Sequence, residues 1–102
     1  MTLTEKQLRF LRGRAHALKP GVMLGKNGLT DNVVAETVQA LRDHELIKVK
    51  VRSGDRAQRD TMLTDLVART GGTLVTRIGH VAVLYRQRAA IKGRMVLPDP
   101  QV

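Results

Sequence analysis

The residues best placed to do chemistry are Gly25-Lys26-Asn27-Gly28, between a short apolar stretch, Val22-Met23-Leu24, and "TDNVVAETVQAL", which has helical spacing. A G-x-x-G tetrapeptide there can be a plain turn, a nucleotide-phosphate loop or a clamp for a nucleic-acid backbone. The P-loop pattern needs a lysine directly after its second glycine, but Lys26 lies between the glycines and Leu29 follows them. The dinucleotide fingerprint needs a third glycine, which is absent. A plain strand-to-helix turn, with Gly25 or Gly28 at positive φ, remains open. So does the clamp: a helix N-terminus attracts anions, and glycines let a phosphate approach the backbone. Lys26 and Asn27 would then reach phosphate or sugar, as a G-x-x-G loop does in KH domains.

Other chemistries lack their residues. Ser53 is the single serine, and there is no cysteine, so the common covalent nucleophiles have almost no candidate. His16, His44 and His80 stand apart from one another, outside metal-ligand spacings. The acids cluster in the middle third, where Asp55 with Arg59 and Arg56 with Asp60 read as surface pairs at helical spacing. Neither an enzymatic activity, a metal nor a cofactor is expected. An RNA-modifying enzyme would need a catalytic constellation that the sequence does not show.

Charge points to the partner. The 102 residues carry a formal net charge of +9, with a pI near 11.1. Such an excess is most simply tolerated for a polyanion. It resides in residues 1–30 and 66–102, each near +5, whereas residues 31–65 are near −1. If the fold unites the outer thirds, they form one positive face. Arg9, Arg12, His16 and Lys19 recur at helical spacing as a stripe, and no acid lies between Glu5 and Asp31 to neutralise it. Phe10 and Tyr85 are the only aromatics, too few for reading bases by stacking, so contact should be mainly to phosphate and sugar. No apolar run approaches the roughly 20 residues that span a bilayer. The N-terminus does not read as a signal peptide, and a cysteine-free chain suits the cytoplasm.

These residues need elements to position them. Thr4 with Gln7 forms a capping box, and Leu8, Leu11, Ala15 and Leu18 mark the buried face of a first helix ending near Lys19, before Pro20-Gly21. Val22-Met23-Leu24 reads as a strand buried on both faces. Thr30 or Asp31 caps a second helix with Val34, Val38 and Leu41 inward. Ile47, Val49 and Val51 alternate with Lys48, Lys50 and Arg52 in a half-buried strand with a basic outer face or edge. Ser53-Gly54-Asp55 turns into a third helix with Met62, Leu63, Leu66 and Val67 apolar, ended by Gly71-Gly72. "TLVTRI", Gly79-His80 and "VAVLY" form a hairpin. The predicted fold is a two-layer α/β domain: an N-terminal helix, then β-α-β-α-β-β with a mixed four-stranded sheet. Residues 1–88 form the domain, and 89–102, with Pro98 and Pro100, a basic, loosely ordered tail.

"FLRGRAHALKPGVMLGKNGLTDNVV", "ALRDHELIKVKV" and "IGHVAVLYR" resemble the CRM domain (chloroplast RNA splicing and ribosome maturation), above all its stand-alone bacterial YhbY form. The resemblance covers about Thr4 to Arg86. It implies a fold similar to the C-terminal domain of bacterial translation initiation factor three, with an added N-terminal helix. It also implies RNA binding through Gly25-Lys26-Asn27-Gly28, with an association in bacteria with precursor large ribosomal subunits. The expected function is therefore non-catalytic binding of ribosomal RNA in large-subunit assembly. Arg9, Arg12, His16 and Lys19 would extend the surface, Arg86 and Arg88 would add to it, and Lys48, Lys50 and Arg52 are further candidates. The alternative is a module that docks on a ribosomal protein or translation factor.

Overall fold

The computed structural model describes residues 2–52, 54–88 and 95–98. Helix α1 (Glu5–Ala15) begins with the expected capping box: Thr4 Oγ1 accepts from the Gln7 N–H at 3.2 Å, and Gln7 Oε1 accepts from the Thr4 N–H at 3.0 Å. It stops four residues before Lys19, because the Leu18 N–H turns back to the Ala15 carbonyl at 3.0 Å and tightens the exit toward Pro20.

Strand β1 (Pro20–Leu24) corrects one expectation. Val22 and Leu24 are buried, but Met23 is 46% exposed. A three-residue apolar run cannot reveal that its strand lies at the sheet edge, with one face partly open. Helix α2 (Asp31–His44) is capped by Thr30 and buries Leu41 and Thr37, with Val33 and Val34 packed beside them. Thr37 is admitted to the core because its hydroxyl donates to the Val33 carbonyl at 2.7 Å. Strand β2 (Leu46–Val51) alternates as expected. Helix α3 (Arg56–Thr70) opens on a second capping box, Asp55 with Gln58, and closes on Gly71 at φ 72°. Strands β3 (Thr73–Ile78) and β4 (Val81–Tyr85) form the hairpin.

The sheet order is β1-β2-β4-β3. β1 runs parallel to β2, and β4 is antiparallel to both β2 and β3. β4 is therefore inserted between strands that share one direction. Alternation along the strands separates two cores. Val22, Leu24, Ile47, Val49, Val51, Ala82 and Leu84 meet Leu41 of α2 and Leu63 and Leu66 of α3. Together these form the expected two-layer α/β body. Leu46, Val83, Tyr85 and Val75 instead meet Leu11 and Ala15, so α1 is the added helix and covers the opposite face.

Residues 95–98 pack on that same side. Met95 and Leu97 join Leu3 and Leu8, and Gln7 Nε2 donates to the Pro98 carbonyl at 3.1 Å. Packing thus continues beyond the domain boundary expected at residue 88. The rest of the expected tail, 89–94 and 99–102, lies outside the described residues.

Candidate functional site

The G-x-x-G loop is one tight turn held at both ends. Before it, the Leu24 carbonyl accepts from the Arg52 N–H at 2.8 Å. Within it, the Gly28 N–H donates to the Gly25 carbonyl at 3.0 Å, leaving Lys26 and Asn27 exposed at the central positions. After it, Leu29 packs against the core, and Thr30 Oγ1 accepts from the Val33 N–H at 3.2 Å. Of the two glycines, Gly28 has the positive φ, at 67°. A Cβ there would stand 3.5 Å from Met62 Sδ, an ordinary contact, so the dihedral is what demands glycine. Around Gly25 nothing lies within 4 Å of a notional Cβ, so a small side chain would fit there.

Strand direction decides what surrounds this loop. β1, β2 and β3 end, and β4 begins, at the same edge of the sheet. The N-termini of α2 and α3 and the Gly79-His80 turn therefore share the loop's end of the molecule. His80 is held there: its carbonyl accepts from the Val51 N–H at 2.7 Å, and its Nδ1 lies 3.2 Å from the Val51 carbonyl oxygen. Between the loop and α3 opens a hollow of about 630 Å³, lined by Lys26, Gly54, Ala57, Gln58, Thr61 and Met62. Arg52 is exposed and is joined to the loop's base through its own N–H. From residue spacing alone Arg52 carries less weight than the α1 stripe. Its signal was the parallel pairing of β1 and β2, which sets the residue after one strand beside the loop after the other.

Acids at this end are engaged. Asp31 Oδ1 accepts from Arg69 Nη2 at 2.8 Å, and Asp55 caps α3. The sequence-adjacent pairs do not form as expected. Asp60 meets Arg77 at 2.5 Å across the α3–β3 boundary, while Arg59 donates to the Gly54 carbonyl at 2.8 Å.

The remaining candidates lie elsewhere. Arg9 is exposed on α1 and His16 is exposed at its C-cap. Arg12 is partly buried, and its Nη2 donates to Glu5 Oε1 at 3.2 Å; the stripe thus has a local acidic partner, one helical turn pair upstream. Lys19 is exposed and precedes β1, at the end of that strand opposite the loop. Arg86 and Arg88 follow β4 and share that far end. The Arg86 side chain is exposed, and its N–H donates to the Glu45 carbonyl at 2.9 Å. Arg88 is folded onto the end of α2: Nε donates to the Arg42 carbonyl at 2.9 Å and Nη2 to the Asp43 carbonyl. With α2 of 14 residues, its two ends are about 21 Å apart. The fold therefore does not unite the charged outer thirds at the loop. They meet at α1 and residues 95–98. Among the described residues no group of three or more His, Cys, Asp or Glu could hold a metal ion. No described helix is long and apolar enough to cross a membrane.

Residues 3–86 match the family model of the CRS1/YhbY (CRM) domain. The chain belongs to the CRM domain family. An RNA-binding protein of Haemophilus influenzae is 52% identical over 85 residues, covering 83% of this chain and 86% of its own. A chloroplastic/mitochondrial CRM-domain containing factor of rice (Oryza sativa) is 32% identical over 87 residues, 84% of this chain but 10% of the plant protein. The solution structure of a hypothetical protein from Staphylococcus aureus is similar with a TM-score of 0.79 and 34% identity, covering 95% of this chain and 100% of that one. The CRM match begins just before α1 and ends just after β4, so the loop, the sheet and all three helices belong to the family's shared unit.

Proposed function

We propose that this CRM domain binds RNA without catalysis, gripping the sugar–phosphate backbone at Gly25-Lys26-Asn27-Gly28. The observation that carries this reading is the loop itself: a tethered turn with an exposed lysine and asparagine at its tip, empty space on the Cβ side of Gly25, and a helix N-terminus behind it. Backbone N–H groups and a lysine are donors suited to phosphate oxygens. Arg52 lengthens the contact at the same end. Arg9, His16 and Lys19 offer a second basic surface on α1 and its exit, while Arg12 is paired with Glu5 at the surface and Arg88 is folded onto the end of α2. The RNA is ribosomal, in the cytoplasm, and the setting is assembly of the large subunit; both follow from the resemblance of the chain to the bacterial YhbY type. The name of the Haemophilus relative supports RNA as the partner.

The test is Lys26→Glu. It should weaken binding to ribosomal RNA fragments across sequences, because it turns an attraction for phosphate into a repulsion and reads no base. Melting should barely move, since the loop tip is exposed. Unchanged affinity of the folded variant at low salt would reduce the loop to a turn.

A further inference from the structure

The sheet face that carries α1 is only partly covered. Strand register places four residues in a row across it at the loop's end: Met23 opposite Lys50, Lys50 opposite Val81, and Val81 opposite Ile78. All four project away from the α2–α3 core, because their neighbours Leu24, Val49, Val51 and Ala82 point into it. The next rows inward hold Lys48, Val83 and Thr76, then Leu46, Tyr85 and Thr73. There α1 closes the surface: Val83, Leu46 and Tyr85 are all buried. The outer row stays open. Met23 is 46% and Ile78 74% exposed, the latter one of the most exposed large apolar residues described.

This row spans about 14 Å, three interstrand spacings. It starts two residues before Gly25, so it is continuous with the loop. Its one charged member is Lys50, with Lys48 behind it on the same strand. None of the four strands contains Asp or Glu. The charge of this face is positive and its floor apolar, which fits a polyanion that carries flat apolar groups. Unpaired nucleotides have that chemistry: phosphate for the lysines, and base faces for a shallow apolar floor. A duplex keeps its bases stacked inside and has no such groups to offer.

We propose that the Met23–Lys50–Val81–Ile78 row is a platform for unpaired nucleotides of the RNA strand held by the loop. This rests on the loop being the backbone grip. Lys50 would contact a phosphate, and Met23, Val81 and Ile78 would lie under one or two bases without the aromatic stacking that other sheet readers use. The domain would then prefer single-stranded to duplex RNA, with little choice among bases.

Anisotropy titrations of one RNA sequence, single-stranded and annealed to its complement, test this in the full chain. Wild type should bind the single strand more tightly. Met23→Ser with Ile78→Ser should lower single-strand affinity by roughly fivefold, the scale of losing a methylene or two of apolar contact, and leave duplex affinity alone. Both side chains are exposed enough that folding should survive, which circular dichroism checks. Lys26→Glu should weaken both RNAs. If the double variant binds both RNAs as wild type does while Lys26→Glu is weakened, the platform is wrong and the loop reading stands. If neither variant changes affinity, both readings fail. A photo-cross-link from 4-thiouridine in the single strand to a peptide containing Met23 or Ile78 would support the platform independently. Exclusive cross-linking to α1 would overturn it.

Discussion

The backbone N–H of Arg52 donates to the Leu24 carbonyl across 2.8 Å, fastening the first residue after β2 to the last residue of β1. This bond extends the parallel ladder one residue past the end of β2. It fixes where the glycine turn leaves the sheet and brings a second exposed cation to its base. The loop is accordingly anchored at its base, and substitutions in it should separate backbone effects from contact effects.

Gly28→Val should destabilise the domain and weaken RNA binding. A β-branched residue at φ 67° costs about 1–3 kcal/mol, which for a chain of this size lowers Tm by several degrees. Gly25→Ala should leave Tm close to wild type, since its φ is ordinary and the space for a methyl is empty. It should still weaken binding if phosphate approaches that backbone. Thermal melts and RNA titrations on both variants check this.

Binding should be strongly salt-dependent. Neutralising about five phosphates gives a slope of log K against log salt of roughly −3.5 to −4.5. Titration against a ribosomal RNA fragment over a range of salt concentrations measures it. A slope near zero would instead favour docking on a protein.

Arg88→Gln should act on stability more than on RNA. The guanidinium donates to the last carbonyls of α2, where a cation also complements the helix dipole, so the loss should be about 1 kcal/mol. RNA affinity should fall less than in Lys26→Glu. An affinity loss equal to that of Lys26→Glu, with Tm unchanged, would place Arg88 at the RNA.

Glu45→Ala should cost more. Glu45 is 2% exposed at φ 62°, and its carboxylate accepts from the N–H groups of Arg88 at 3.0 Å and Met95. Alanine keeps the strained dihedral and removes both acceptors, a loss of roughly 2–4 kcal/mol. Hydrogen exchange should show the amides of Arg88 and Met95 losing protection while those of β1 and β2 retain theirs relative to the global stability.

The features that were legible in the sequence are local ones. Thr4 with Gln7, Thr30, Asp55 and Gly71 mark helix ends through bonds within a few residues. The alternation of Ile47, Val49 and Val51 against Lys48 and Lys50 reports a sheet face directly. Gly79-His80 joins two apolar runs, and so announces a hairpin. The illegible features depend on distant partners. Met23 looks buried until β1 is known to be an edge strand. Asp60 looks paired to Arg56, but Arg77 reaches it from β3. Glu45 carries no sequence sign of a left-handed backbone or of its bonds to Arg88 and Met95. The site candidates divide in the same way: the loop was readable from its glycines, whereas Arg52 beside it and the distance to Arg86 and Arg88 required strand directions.

Leu3 and Leu97 share one hydrophobic cluster, and Gln7 holds the Pro98 carbonyl. The polypeptide therefore enters and leaves this unit at neighbouring points, while the glycine loop protrudes elsewhere. A unit with adjoining ends can be threaded into a larger chain as a cassette without stretching its host. Consecutive cassettes could each keep a loop facing outward, so that grip accumulates along one RNA through effective concentration rather than through a larger single surface. The rice factor, in which the matching segment is 10% of the whole, is a chain of a length that such modular use allows.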